Sequence, residues 1–451
     1  MRGEKSMKIA IFTNNYAPFV GGVPISIERL AKGLRMIDHQ VTIFAPDYEG
    51  HMEGEQDSVE KDIVRYKSLK KTIGDGIIVG NCLDPIIEKE FRKGDFDVIH
   101  VHHPFLIGYT AIYLGHKYKV PVVYTYHTRY EQYLHHIKSY SKLVDKYEEE
   151  NHRLLKTVEG KLIHLGRDKF VPFHNRVFMN HCDRIIVPTN NMKEFLVSQQ
   201  VKSKMNILPT GLGEEAYQNN DKLSSRIRKQ YIGNKKYLLC SVSRLEKEKN
   251  IEFIIRGMFE LKKRIGGIFR LLIIGDGTQR VKLEEMVWEL DLEDEISFLG
   301  TLQQDEITNY YRACNAFVFA SKSETQGIVL LEAMAAGLPV VAIKASGVED
   351  IVRNGENGFM TEESVDEWVE KISMILLNQQ LSDRLCCCAS VTAGDYSMIQ
   401  IANQAATYYN DMIVNKEVIS EVSNKIKGDT RKRSRHSILY ISRTGSQNVH
   451  Y

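Results

Sequence analysis

The feature that most constrains the fold is a repeated alternation of short apolar runs with segments of helical period. From Lys8 the chain reads KIAIF, a glycine-containing loop TNNYAPFVGGV, the stretch PISIERLAKGLRMI and then VTIFAP. Ile27, Leu30, Ala31, Leu34 and Ile37 share one helical face and Pro24 suits a first helical turn, so this is a β-α-β unit. Further strands are expected at DVIHV (Asp97 to Val101), VVYTY (Val122 to Tyr126) and RIIVPT (Arg184 to Thr189). Strands that alternate with helices form a mostly parallel sheet covered on both faces, because each crossover helix must lie against it.

A second series follows ILPTGLGEEAY, with strands expected at YLLCSV (Tyr237 to Val242), FRLLIIG (Phe269 to Gly275), EISFLG (Glu295 to Gly300), NAFVFA (Asn315 to Ala320) and LPVVAI (Leu338 to Ile343). At 451 residues the chain exceeds one core, and Pro209, Gly211 and Gly213 punctuate the pattern between the series. The expected division is a first doubly wound domain over 1–209, a second over 210–395, a helix over 396–415 that returns to the first, and a polar basic tail over 416–451. In such sheets ligands sit beyond the carboxyl ends of the strands, so the loops after each strand should carry the chemistry.

Composition narrows the partners. Sixty basic against 58 acidic residues give a net charge of +2, which by itself points to neither nucleic acid nor membrane. Seven cysteines without a C-x-x-C pair form neither a disulfide framework nor a zinc pattern, which favours the cytosol, and Cys386 to Cys388 read as small apolar fillers. The N-terminus lacks the apolar core of a signal peptide. The longest apolar run, Ile328 to Ile343, is interrupted by Glu332, Gly337 and Pro339, so any membrane contact is expected to be peripheral.

Three loops of the second half stand out. SRLEKEKN puts Arg244 and Lys249 at a strand's carboxyl end, a fork and a point charge suited to a diphosphate; the alternative is a solvated charged turn around Glu246 and Glu248. GDGT places Gly275 and Gly277 between a strand and a helix, where backbone can approach an anion, although Arg280 stands where a full dinucleotide fingerprint needs glycine. ETQGIVLLEAMAAG carries Glu324 at a strand's carboxyl end and Glu332 inside a helix apolar all round. A buried carboxylate needs a partner, either the paired hydroxyls of a sugar or ribose, or an internal salt bridge or cap.

Glu324 and Glu332, eight positions apart and followed by AMAAGLPVV, resemble the E-x7-E motif of the family 4 retaining glycosyltransferases, and SRLEKEKN resembles that family's phosphate-binding arginine and lysine. The resemblance runs from KIAIFTNNYAPFVGG to the helix near Ile401. It implies a GT-B fold, two doubly wound Rossmann-like domains facing across a cleft, with Arg244 and Lys249 holding the diphosphate of a sugar nucleotide in place of a metal. It further implies Glu332 on the ribose, Glu324 beside the donor sugar, the amides near Gln326 and Gly327 on its hydroxyls or phosphate, and Gly21 and Gly22 reaching the phosphates from the other domain. No metal or other cofactor is implied.

In the first domain, YTYHTRYEQY places His127 after a strand, where the family has its active-site histidine. His100, His102 and His103 read as strand-end structure, since adjacent strand residues point to opposite faces, and the D-x-D of Asp95 and Asp97 reads as a turn. The ETQG wording and the aromatic neighbours Tyr126, Tyr130 and Tyr133 are similar to bacterial diacylglycerol glucosyltransferases, which implies UDP-glucose as donor and a membrane lipid as acceptor. The helical spacing and lysines between Leu134 and Phe178 fit an interfacial helix or equally a packed helix pair, and the polar tail with its cluster Lys425 to Arg435 is expected to be disordered and to bind either anionic lipid or nothing at all. A saccharide-directed transferase shares every donor motif, and a non-catalytic sugar-nucleotide sensor is the reading from a different class.

Overall fold

The computed structural model describes residues 6–19, 21–48, 62–73, 77–127, 171–322, 324–416 and 418. Most of the 134–178 segment and nearly all of the basic tail therefore lie outside the described residues.

The first half forms β1 (Lys8–Phe12), β2 (Gln40–Pro46), β3 (Ile63–Tyr66), the hairpin β4 (Ser68–Ile73) and β5 (Ile77–Gly80), then β6 (Val98–Val101), β7 (Val122–Thr125), β8 (Arg184–Val187) and β9 (Lys204–Ile207). Seven of these make one parallel sheet in the order β3-β2-β1-β6-β7-β8-β9. The second half forms β10 (Tyr237–Val242), β11 (Phe269–Ile274), β12 (Ile296–Gly300), β13 (Ala316–Phe319), β14 (Val340–Ile343) and β15 (Gly358–Thr361), a parallel sheet in the order β12-β11-β10-β13-β14-β15.

Both sheets are buried on both faces, which is why their strands read as continuous apolar runs. In β1, Ala10 and Phe12 enter one core while Ile9 and Ile11 enter another on the opposite face. In β11, Leu272 and Ile274 likewise separate from Leu271 and Ile273. The edge strands β3, β9 and β15 escape a reading based on apolar runs because they are only partly apolar: KMNI of β9 is nowhere fully buried. The Cys386 to Cys388 reading needs correction, because Cys387 is exposed and its two neighbours are only half-buried, so they do not fill a core.

After Tyr396 a helix over 398–416 leaves the second sheet and lays Ile401, Ala402, Ala405, Tyr409 and Met412 into the core beneath β1 and the helix Gly22–Met36. The approach is close: a Cβ on Gly33 would stand 2.7 Å from the Met398 carbonyl oxygen. The strand order reverses between β1 and β6 in one sheet and between β10 and β13 in the other. In sheets of this kind the loops that flank such a reversal diverge and make room for a ligand at the carboxyl edge.

Candidate functional site

The three loops singled out in the second half follow β11, β10 and β13, which are consecutive in the sheet, and backbone bonds tie them together. Leu245 N–H donates to the Asp276 carbonyl (2.9 Å), Gln279 N–H to the Leu245 carbonyl (2.9 Å) and Lys322 N–H to the Glu248 carbonyl (2.9 Å). Thr278 adds its hydroxyl to Glu246 at 2.6 Å. Gly275 and Gly277 belong to this internal packing. A Cβ at Gly275, where φ is +133°, would lie 1.9 Å from the Ser243 carbonyl oxygen, and one at Gly277 would lie 2.6 Å from that of Leu245. Glycine is needed there for loop on loop, whatever else approaches.

Lys249 ends a short 3-10 turn, and its Nζ donates to Glu324 Oε1 at 2.6 Å with both side chains largely buried. Arg244 is brought to the same edge but remains 62% exposed, with an ion pair to Glu248 at 3.3 Å. Gly327 has a left-handed φ of +74° and turns the chain into the helix Ile328–Ala335. Among the described residues, no acceptor takes the backbone N–H of Gln326 or Gly327. Two backbone donors at a helix start, on a loop tied to that of Lys249 through Glu324, suit an anion.

The two carboxylates have protein partners, which the sequence left open. Glu324 meets Lys249. Glu332, buried one turn into its helix, lies 3.5 Å from Arg29 of the helix Gly22–Met36. Arg29 also holds Glu215 at 3.0 Å and points a second nitrogen at the Gly211 carbonyl, 3.4 Å away. The Gln326 side chain is committed to Thr210, accepting from its N–H (2.7 Å) and donating to its carbonyl (2.9 Å), while the Thr210 hydroxyl meets Ser26 at 3.0 Å. The edge of the second sheet is thus fastened to the first helix by Arg29 and Thr210. No local pattern marks either residue: the partners of Arg29 are 186 and 303 positions away.

In the first half the loop after β1 ends at Gly21, which is extended at φ −178°, and the helix begins at Gly22, whose side-chain position opens on empty space. His103 anchors the start of that loop, its Nδ1 accepting from Asn14 N–H at 3.2 Å. His127, half-buried after β7, does not stand alone: its Nε2 lies 2.7 Å from Nδ1 of the buried His102. His100 is enclosed, bonded to Tyr409 (2.7 Å) and Thr125 (2.6 Å). Burial disfavours the imidazolium form, holding His127 and His100 down to about 3 and His103 to about 4, and lowering His102 well below the usual value. All four are neutral at pH 7. The strand-end reading of the histidines therefore needs an addition, because His102 contacts the candidate site residue itself. Asp95 closes a helix in a left-handed turn and Asp97 accepts from Lys8 N–H at 2.7 Å, the turn expected of the D-x-D.

Chemically this edge of the second sheet offers two cations and, among the described residues, two backbone donors without an acceptor for an anionic leaving group, and the ion-paired carboxylates Glu324 and Glu332 for hydroxyls. Residues 20–215 match the family described as Glycosyltransferase Family 4, and residues 224–386 that described as Glycosyl transferases group 1. The chain is 26% identical over 420 residues to the alpha-monoglucosyldiacylglycerol synthase of Acholeplasma laidlawii, covering 90% of this chain and 98% of that one. It is 28% identical over 348 residues to the synthase of the same name from Streptococcus pneumoniae, covering 74% and 71%. Among solved structures it is similar to Anabaena HepE in complex with UDP and glucose, with a TM-score of 0.63, 18% identity, and coverage of 90% of this chain and all of that one. Two parallel doubly wound sheets, joined by a crossing terminal helix and matched along both halves, place this chain in the family 4 glycosyltransferases of the GT-B fold.

Proposed function

We propose that this protein is a retaining hexosyltransferase that moves glucose from UDP-glucose to a membrane lipid acceptor of the diacylglycerol type, working peripherally at the cytoplasmic face of the membrane. The observation that carries the donor half is the Lys249–Glu324 pair, which ties the loop after β10, with its exposed Arg244, to the loop after β13 that leads into Gln326 and Gly327. Lys249, Arg244 and the N–H groups of Gln326 and Gly327 would take the diphosphate as it leaves, with Gly21, Gly22, Gly275 and Gly277 shaping the backbone around it. Glu332 would take the ribose hydroxyls and Glu324 those of the sugar, each exchanging part of its present ion pair for the ligand.

In the reaction the bond from the anomeric carbon to the diphosphate oxygen breaks as the acceptor hydroxyl approaches the same face. The hydroxyl proton passes to the departing phosphate oxygen, and cations and amides stabilise that oxygen's charge. His127 would contact donor sugar or acceptor from the other side of the cleft.

Two observations support the lipid half. The relatives named above are both alpha-monoglucosyldiacylglycerol synthases. The first domain also exposes Tyr109, Tyr113 (53%) and Phe173 (56%) on neighbouring helices, next to Lys117 and Arg176. Aromatic rings beside cations suit a headgroup boundary. Among the described residues no helix is long and apolar enough to cross a membrane.

The test is transfer from UDP-glucose to diacylglycerol in anionic vesicles, with the anomer read by NMR. An α-glucolipid is expected. Glycosylation of soluble saccharides with none of the lipid would establish the saccharide-directed alternative, and UDP binding without turnover on any acceptor would establish the sensor. Arg244→Ala should lower UDP affinity at least about tenfold without a change in stability, since the side chain is mostly exposed.

A further inference from the structure

Of the four histidines His100, His102, His103 and His127, His102 is the one that, among the described residues, has a buried ring nitrogen without a partner. It is 1% exposed, its Nδ1 is 2.7 Å from His127 Nε2, and among the described residues its Nε2 is buried without a partner. Between two neutral imidazoles one nitrogen must donate and the other accept, and the choice fixes both rings. If His102 carried its proton on Nε2, a buried N–H would be left without an acceptor. If the proton sits on Nδ1, the unused Nε2 is only an unfilled lone pair. Orphaned donors are rarer and costlier than orphaned acceptors.

From this geometry we infer that His102 is a positioning residue that donates its Nδ1–H to His127 Nε2 and so locks His127 in the tautomer with its proton on Nδ1. This rests on the reading of His127 as a site residue. His127 then meets the donor sugar or acceptor as a neutral hydrogen-bond donor, not as a base. The acceptor's proton is left to the departing phosphate oxygen, in keeping with the same-face displacement. His100 and His103 reinforce the arrangement. The His100 ring centroid is 4.2 Å from that of His102, and like charges so close disfavour protonation of any member. His103 accepts from the Asn14 N–H and so carries its own proton on Nε2.

The test is long-range proton–nitrogen NMR of the full chain labelled at imidazole nitrogens, at neutral pH, with the His127 signals assigned by their loss in His127→Gln. Wild type should show His127 protonated on Nδ1. His102→Asn, which keeps an amide donor near the Nδ1 position, should retain that pattern, whereas His102→Phe should return His127 to the Nε2–H form. In transfer assays His102→Phe should lower kcat about tenfold or more with the KM for UDP-glucose within twofold, and His102→Asn should recover much of the loss. His127 found in wild type as Nε2–H, or as imidazolium, overturns the inference, as does an unchanged kcat in His102→Phe. The NMR result needs no turnover, so the expected tautomer in a protein that glucosylates nothing would refute the proposed function and leave this assignment standing.

Discussion

Removing Arg29 offers the sharpest test of how the two halves are held. Its guanidinium is 8% exposed and lies 3.5 Å from a Glu332 carboxylate that is 10% exposed. At an effective dielectric of about 20, that separation corresponds to a gross attraction of about 5 kcal/mol. Desolvation of both ions offsets much of it, so the pairwise coupling is expected at about 1–3 kcal/mol. Arg29→Met keeps the apolar stem but takes a cation from beside two carboxylates, at a cost of about 3 kcal/mol. Glu332→Gln leaves Arg29 its bond to Glu215 and should cost less, about 1–2 kcal/mol. The double variant should then be more stable than the sum of the singles predicts, by the coupling energy. Urea unfolding followed by tryptophan fluorescence is the assay, because both tryptophans, Trp288 and the buried Trp368, lie in the second half. Raising salt from about 0.1 M to about 1 M should change the coupling little, since a buried pair is weakly screened. Strict additivity, with a coupling under about 0.5 kcal/mol, would refute the view that Arg29 and Glu332 form one buried unit.

Three further outcomes are expected. Gln326→Ala should destabilise by about 2 kcal/mol in the same unfolding assay, because the Thr210 N–H and carbonyl both lose their partner; Gln326→Glu should not rescue it, as its second oxygen would face that carbonyl. Gly275→Ala should cost more than about 2 kcal/mol or prevent folding, since its methyl would meet the Ser243 carbonyl at 1.9 Å, while Gly22→Ala, with open space, should stay within about 0.5 kcal/mol by thermal unfolding. His100 binds a proton in the native protein only near pH 3, against 6.5 when unfolded. The unfolded chain therefore holds more protons between those values, and stability falls as pH drops through that window, by up to about 1.4 kcal/mol per unit from this residue. Acid unfolding of His100→Gln should show a correspondingly shallower slope; an identical slope would count against a neutral buried His100.

The sequence alone determined the two sheets. Parallel strands buried on both faces must be apolar along their whole length, and crossover helices must carry an apolar stripe, so β1, β10 and β11 with their helices declare themselves in any window of a few residues. The same local logic placed Arg244, Lys249, Gly275, Gly277 and Glu324 after strands, since a parallel sheet sends every such loop to one edge. What each side chain touches there was decided only in three dimensions. A charged residue on a helix reads as solvated whether or not another domain covers it, so Arg29 gave no sign that it would reach Glu215 and Glu332. In the sequence His102 is one of three histidines that read as strand-end structure, and only the pairing of β6 with β7 sets its ring against His127. Periodicity reports burial against a chain's own sheet. Contacts across a domain boundary have no period, because they join positions hundreds of residues apart, and the tertiary fold alone brings those together.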